Sequence, residues 1–456
     1  MGSINDMNTM YSCLQSVYLH LEMKKVLIIT YYWPPSGGAG VQRWLRFVKH
    51  LRKFGYEPVI YTVDNPNYAL VDEGLLEDVP DDVKVYRNKI IEPNNLFKTS
   101  SKKGNKVYKL QQQKGDKRSL SQRISWFVRG NFFIPDARFL WIKPSVKFLN
   151  RILKQEEIDI IVSTGPPHSL HLIAEKISSK FNIPWVADFR DPWTSMDYLD
   201  EMYLTKWARK KHARLEKNVI AGADEVVVVG KTMYNEFLEN YSRKTEIIYN
   251  GYEGGGNLNE SFELDIKFSI VHIGSFLKNR NCPDLWEVLS DICLENDSFR
   301  KDLEIKLIGN VAPVVLDSIN SLKLNEQLNK IDYVPFEVTQ KYLHGAQVLL
   351  LPIDRIPNAE FVLTGKLFEY LKSKRPVLLI GPSKGDAADI IENCKAGYCC
   401  DFNDKVAMKE EVLKLYELFL ENKNTIESIN VAQFSGIELT KKMAVLFDNQ
   451  LKRKND

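Results

Sequence analysis

The sequence predicts an α/β protein made of two Rossmann-like domains, each a doubly wound parallel sheet, facing a central cleft. Three observations carry this expectation. Short β-branched runs alternate with stretches of helical periodicity, a Gly- and Asn-rich break interrupts them near the middle, and the alternation then restarts. At 456 residues the chain is also too long for one ordinary hydrophobic core.

The first domain is expected over 23–250, after an extension at 1–22. It opens with "KKVLIIT", a Gly/Pro loop and the helical pattern "VQRWLRFVKHLRKFG". There Trp44, Phe47, Val48 and Leu51 recur at three- and four-residue steps, and Gly55 stands where a helix would stop. Further strands are expected at "EPVIYT", "VKVYR" (83–87), "DIIVST" (159–164), "PWVADF" (184–189), "DEVVVVG" (224–230) and "EIIYNG" (246–251). Helical patterns separate most of these, which implies right-handed crossovers and parallel pairing.

The break at 251–267, "GYEGGGNLNESFELDIK", reads as a hinge. The second domain, 268–433, then supplies "FSIVHIG", "EIKLIG", "IDYVP" (331–335), "QVLLLP", "RPVLLIG" and "GYCC", followed by a C-terminal helix within 434–456. In open parallel sheets ligands bind beyond the carboxyl ends of the strands, so the loops that follow strands should carry the chemistry.

The formal net charge of +3 gives no global argument for nucleic acid. Six cysteines show neither zinc-type spacing nor a disulfide-dense pattern, and reduced thiols in the cytoplasm are the expectation. No apolar run reaches the roughly 18 residues of a spanning helix. The first residues lack a basic n-region and a small-residue cleavage site, so no signal peptide is expected.

Residues 98–129 break the rhythm, with ten Lys or Arg against one Asp, and Phe132, Phe133, Phe139 and Trp141 follow them. A solvated insertion explains this composition. So does peripheral contact of 98–141 with an anionic membrane at the inner face of the cell, cations attracting headgroups and aromatics anchoring at the interface. No recognised nucleic-acid motif accompanies the charge.

Four stretches could carry chemistry. "YYWPPSGGAGVQR" (31–43) is a glycine-rich loop before a helix, where backbone N–H groups can approach an anion. Gly38 and Gly40 fit the dinucleotide fingerprint and Asp64 stands near the ribose position, but Arg43 replaces the third glycine and the loop is too long. In "TGKLFEYL", Thr364 can cap a helix whose first turn, after Gly365, places Lys366 and Glu369 on one face. A cation at a helix N-terminus costs a few tenths of a kcal/mol unless a phosphate sits there. With a phosphate bound, Glu369 would suit the two hydroxyls of a ribose; without one, the pair is an ordinary surface ion pair. In "HIGSFLKNRN" a strand ends at Gly274 and the loop delivers Lys278 and Arg280, a natural clamp for a diphosphate. Finally, "STGPPHSLH" and "WVADFRDPW" offer His168, Asp188, Arg190 and Asp191 for acceptor contacts or proton transfer, or for an ion pair that fixes the loop. His171 lies three residues from His168, but no metal-ligand set emerges.

These stretches together resemble the GT-B glycosyltransferases, specifically the large retaining family numbered 4. The resemblance runs from Lys24 to the C-terminus through "YYWPPSGGAGVQRWLRFVKHLRKFGYEPVIYT", "EIIYNGYE", "VHIGSF", "IKLIG", "YVPFEVTQKYLHGAQVLLLP" and "GKLFEYLKSKRPVL". "DFRDPW" is similar to a subgroup associated with bacterial surface polysaccharides such as capsule and O-antigen.

The resemblance implies a nucleotide-diphosphate sugar donor, UDP-linked, held by the second domain, and a glycan or lipid-linked acceptor held by the first, with no further cofactor. It makes Lys366 the phosphate lysine, Glu369 the ribose glutamate and Arg280 the basic residue after the strand end, Ser275 standing where the family usually has arginine. Gly274, Thr364 and Gly365 join these in the donor site, and Gly37 and Gly38 form the loop against the donor phosphates. His168 and Asp191 are carried as catalytic candidates beside Arg280 and Lys366. Phe361 occupies the usual acidic position, with Glu360 one residue out of register, and the family's histidine at the end of the strand "WVADF" is absent, Asp188, Arg190 or Asp191 occupying that region. The same architecture also serves sugar-nucleotide 2-epimerases, and a nucleotide-binding subunit without activity is the remaining alternative.

Overall fold

The computed structural model describes residues 23–68, 70–92, 120–253 and 262–455. The extension at 1–22, most of the basic segment and part of the expected hinge lie outside the described residues. The chain divides into two compact units, one running to Tyr249 and resuming at Gly436, the other from Asn250 to Ser435.

The first unit contains a seven-stranded sheet in the order β3-β2-β1-β4-β5-β6-β7. Its strands are β1 (Lys24–Ile29), β2 (Tyr56–Val63), β3 (Lys84–Asn88), β4 (Ile160–Gly165), β5 (Trp185–Phe189), β6 (Glu225–Val228) and β7 (Glu246–Ile247). All pair in parallel. Its helices include α1 (Ala39–Leu51), α2 (Leu120–Phe132), α3 (Ile142–Ile152), α4 (Ser169–Phe181), α5 (Lys206–Gly222) and α6 (Lys231–Tyr241). Central strands covered on both faces cannot alternate, and Val26, Leu27, Ile28 and Ile29 of β1 are accordingly all buried.

The second unit has six parallel strands in the order β10-β9-β8-β11-β12-β13. These are β8 (Phe268–Ile273), β9 (Leu303–Ile308), β10 (Leu328–Ile331), β11 (Val348–Pro352), β12 (Val377–Ile380) and β13 (Gly397–Cys400). Its longer helices are α7 (Pro283–Glu295), α8 (Pro313–Ser321), α9 (Phe336–Gly345), α10 (Gly365–Lys372), α11 (Asp386–Asn393) and α12 (Lys405–Leu420). Both sheets therefore reverse their order once, beside the first strand, which is the Rossmann-like pattern that the sequence led us to expect.

Two strand expectations need correction. Strand β10 occupies Leu328–Ile331, not 331–335: it is an edge strand with one partner, so its apolar pattern is weak, and Pro335 has no N–H to pair. In "EIIYNG" only Glu246 and Ile247 pair as strand; the carbonyls of Ile248 and Tyr249 accept instead from the Arg43 guanidinium, at 2.8 and 2.7 Å. The final helix, α13 (Gly436–Asn455), belongs to the first unit. Leu439, Met443 and Phe447 share one apolar core with Trp44, Phe47 and Val48 of α1.

Candidate active site

In the second unit the sheet reverses between β8 and β11, and the expected donor residues gather there. Gly274, the residue after β8, has φ +102°, and a Cβ on it would stand 2.8 Å from Lys366 Cε. Glycine thus supplies both the left-handed conformation and the room for the lysine to lie across the strand end. Behind it, a Cβ on Gly309 would meet the Gly274 carbonyl at 3.0 Å, so the second strand end is pressed equally close.

Arg280 arrives from a 3-10 turn, Lys278–Arg280, with Lys278 turned to solvent. Its Nη1 donates to the Ser275 carbonyl at 3.3 Å, and Lys366 Nζ approaches the same oxygen at 3.5 Å. Two cations from separate stretches therefore converge on one carbonyl. Beyond β11, Asp354 accepts from Arg280 Nε and Nη2 at 3.0 and 2.9 Å. On its other side Lys366 Nζ donates to His272 Nε2 at 3.2 Å, while His272 Nδ1 lies 3.1 Å from the Leu350 carbonyl. The carbonyl requires Nδ1 to hold the proton, which leaves Nε2 free to accept from the ammonium. Burial, reinforced by Lys366, keeps this imidazole far below the ordinary histidine pKa and hence neutral. Burial likewise pushes Lys366 down to about 7, with Arg280 adding to the shift and Asp354 opposing it.

Lys366 stands in the first turn of α10. Thr364 occupies the N-cap position as expected, with φ −79° and ψ 146°, but its hydroxyl caps nothing and is buried without a partner. The helix start therefore has no cap from Thr364, and Lys366 is the second residue of that helix. Glu369, one turn on, is half-buried, and its charge reaches Tyr252, whose hydroxyl is held above its ordinary pKa by burial first and by Glu369 second. Glu360 is exposed and Phe361 half-buried on the short turn before α10.

In the first unit the glycine loop follows β1. Gly38 is the N-cap of α1 with φ +96°, and no atom lies within 4 Å of where its Cβ would be. The Gly37 N–H donates to the Leu70 carbonyl at 3.0 Å. A Cβ on Gly40 would clash with Arg190 Nη1, so this third glycine answers the Arg190 guanidinium. The hydrogen bonds of Arg190 run to the carbonyls of Gly165 and Pro166 rather than to a carboxylate. The loop is fixed through its backbone.

Asp188 is fully consumed. It accepts from Arg43 Nη2 at 2.8 Å, Trp44 Nε1 at 2.7 Å and the Thr164 hydroxyl at 2.8 Å, and it is 0 % exposed. Burial alone would raise its pKa, but Arg43 and the three donors outweigh that and hold it below the ordinary value. It is a structural carboxylate, ruled out as a proton acceptor. His168 is also buried, its ring stacked on Trp193 with centroids 4.6 Å apart, and neither ring nitrogen has a partner. Burial pushes its pKa well below the usual range. Asp191 is exposed. Among the described residues no group of three or more His, Cys, Asp or Glu could hold a metal ion.

The expected residues thus fall into two sets. Gly274, Arg280, Thr364, Gly365, Lys366 and Glu369 belong to the second unit; Gly37, Gly38, His168 and Asp191 belong to the first. Sequence reasoning missed His272 and Asp354. His272 is the last but one residue of β8 and Asp354 follows β11 by two residues; the histidine within the apolar run "FSIVHI" was the signal available for the first.

The profile of Glycosyltransferase Family 4 matches residues 36–253. No curated protein gives a significant match. Among solved structures, a variant of S. aureus TarM in complex with fondaparinux, alpha-GlcNAc-glycerol and UDP superposes with a TM-score of 0.55 at 13% identity, covering 95% of this chain and 99% of that one. The N-terminal domain of Candida albicans trehalose-6-phosphate phosphatase gives 0.57 at 12%, covering 94% and 97%. Sucrose-phosphate synthase from Thermosynechococcus elongatus gives 0.52 at 12%, covering 94% and 98%. At such identities the likeness speaks to the fold.

Proposed function

We propose that this chain, a glycosyltransferase of GT-B fold whose residues 36–253 form a Glycosyltransferase Family 4 domain, moves a sugar with retention from a UDP-linked donor to a glycan or lipid-linked hydroxyl in bacterial surface-polysaccharide synthesis. The observation that carries the donor half is the convergence of Arg280 and Lys366 on Ser275, beside the uncapped first turn of α10.

A leaving diphosphate needs its growing charge neutralised in place. Arg280 suits bidentate contact with phosphate oxygens, Lys366 provides a compact charge, and the α10 N–H groups add a fixed dipole. Asp354 pairs with Arg280 and would cede it in part to the diphosphate. Glu369 is placed one turn farther along α10, where ribose hydroxyls can donate to it. Attack from the face the diphosphate leaves gives retention, with a donor phosphate oxygen taking the acceptor's proton, so the reading needs no protein base. Gly37 and Gly38 keep the loop after β1 free of side chains, which would let an acceptor approach the backbone. His168 and Asp191 would serve on the acceptor side, His168 only after gaining access to its shielded ring.

Incubation with UDP-sugars and a panel of glycan and lipid-linked acceptors tests this, the anomeric configuration of the product being read by NMR. Retained configuration with stoichiometric UDP release is expected. Free UDP and a C2-epimeric sugar from UDP-GlcNAc alone would overturn transfer in favour of epimerisation.

A further inference from the structure

Lys366 is half-buried, and its hydrogen-bond partners are of an unusual kind for an enclosed lysine. Its Nζ reaches His272 Nε2 at 3.2 Å and the Ser275 carbonyl at 3.5 Å, and both acceptors are neutral. An ammonium drawn out of water is ordinarily matched by a carboxylate. The carboxylate at hand, Asp354, is engaged by Nε and Nη2 of Arg280 instead.

The surroundings of His272 fix its ring. It is 1 % exposed, and its centroid stands 4.6 Å from that of Phe276. The pairing of β8 with β11 ends at Val271 and Leu349, and one residue on His272 Nδ1 donates to the Leu350 carbonyl at 3.1 Å. That bond commits the proton to Nδ1 and turns the lone pair of Nε2 toward the lysine. A second bond holds α10 at the same strand end: the Ile273 N–H donates at 3.1 Å to the hydroxyl of Tyr370, one helical turn past Lys366. Leu367, Phe368 and Leu371 of the helix are buried as well. Loss of the imidazole acceptor would therefore release the lysine side chain and leave the helix in place.

We propose that His272 is a positioning residue of the donor site, its neutral ring holding the Lys366 ammonium at the end of β8 without cancelling its charge. A carboxylate in that place would also hold the lysine, but it would neutralise the cation and repel a diphosphate. An apolar side chain would leave the flexible lysine stem unrestrained. The inference rests on the proposed contact between Lys366 and the donor diphosphate.

The test is calorimetric: the ratio of UDP to uridine affinity in wild type, His272→Phe, His272→Gln, Lys366→Ala and the double variant His272→Phe with Lys366→Ala. Phenylalanine keeps a planar ring without an acceptor, and glutamine offers an amide oxygen in its stead. The ratio should fall about tenfold in His272→Phe with uridine affinity unchanged, and His272→Gln should stay within about threefold of wild type. In the Lys366→Ala background His272→Phe should have no further effect, because the ring acts through the lysine. The groups facing Lys366 are His272 of β8, Arg280 of the following turn, Asp354 beyond β11 and Tyr370 of α10. Removing the acceptor among them disfavours the ammonium, so the pH above which UDP affinity declines should move below about 7 in His272→Phe. An unchanged ratio in His272→Phe, an equal loss in His272→Gln, or additive losses in the double variant would overturn the proposal. So would a parallel fall in uridine affinity, which would make the ring a packing element alone. Failure of the donor reading itself looks different: wild-type protein would bind UDP no more tightly than uridine, or Lys366→Ala would keep the full ratio.

Discussion

Arg43 and Arg280 each face a carboxylate, and the two pairs are built for opposite ends. Arg43 and Asp188 are 1 and 0 % exposed, and every oxygen and donor of the pair is spoken for by Trp44, Thr164, Ile248 and Tyr249. Arg280 and Asp354 are 19 and 20 % exposed, and a second cation, Lys366, stands beside them with burial pressing it toward neutrality. The first pair has nothing left to offer a ligand. The second sets two cations against one carboxylate at the start of a helix, the arrangement that the proposed diphosphate contact requires.

The largest effect should come from breaking the saturated pair. Arg43→Ala leaves Asp188 buried and uncompensated and should cost about 3–5 kcal/mol of stability. A urea unfolding midpoint checks this; a change below 1 kcal/mol would erase the contrast. Lys366→Ala should do the reverse, leaving the unfolding midpoint near wild type while turnover falls about 10²- to 10³-fold, as expected when one preorganised charge is removed. Full activity in that variant would remove the phosphate role.

The pH dependence sharpens the comparison. Below about 7 the free Lys366 is already charged, so UDP affinity should be flat; above it, binding must take up a proton, and affinity should fall by up to about tenfold per pH unit. Calorimetry between pH 6 and 9 reads this directly. In Arg280→Ala one cause of the low pKa is gone, and the break should move to higher pH. The smallest effects separate two glycines. Gly38→Ala pays only the left-handed strain, of order 1–3 kcal/mol, because its surroundings are open. Gly274→Ala suffers the same strain and also displaces Lys366, so UDP affinity should drop in that variant and not in Gly38→Ala.

The two-unit α/β fold was legible because buried parallel strands and amphipathic helices have distinct periods. Strands failed where tertiary context decided: β10 at an edge, and β7, whose continuation was taken by Arg43. The docking of α13 could not be read, since an apolar stripe does not name its partner. At the site, Lys366, Glu369, Gly274 and Arg280 were visible as charges and glycines at strand ends and a helix start. Asp188 was visible for the same reason yet is structural, because sequence cannot show that Arg43 lies across from it. His272 and Asp354 were hidden, their importance arising only when β8, β11 and α10 are brought together.

The central claim is that the cations of the carboxyl-terminal unit bind pyrophosphate, and calorimetric titration of UDP against uridine tests it. Wild-type protein should bind UDP far more tightly than the nucleoside, and Lys366→Ala should lose most of that margin. A Lys366→Ala variant that still prefers UDP by the wild-type factor would contradict the account.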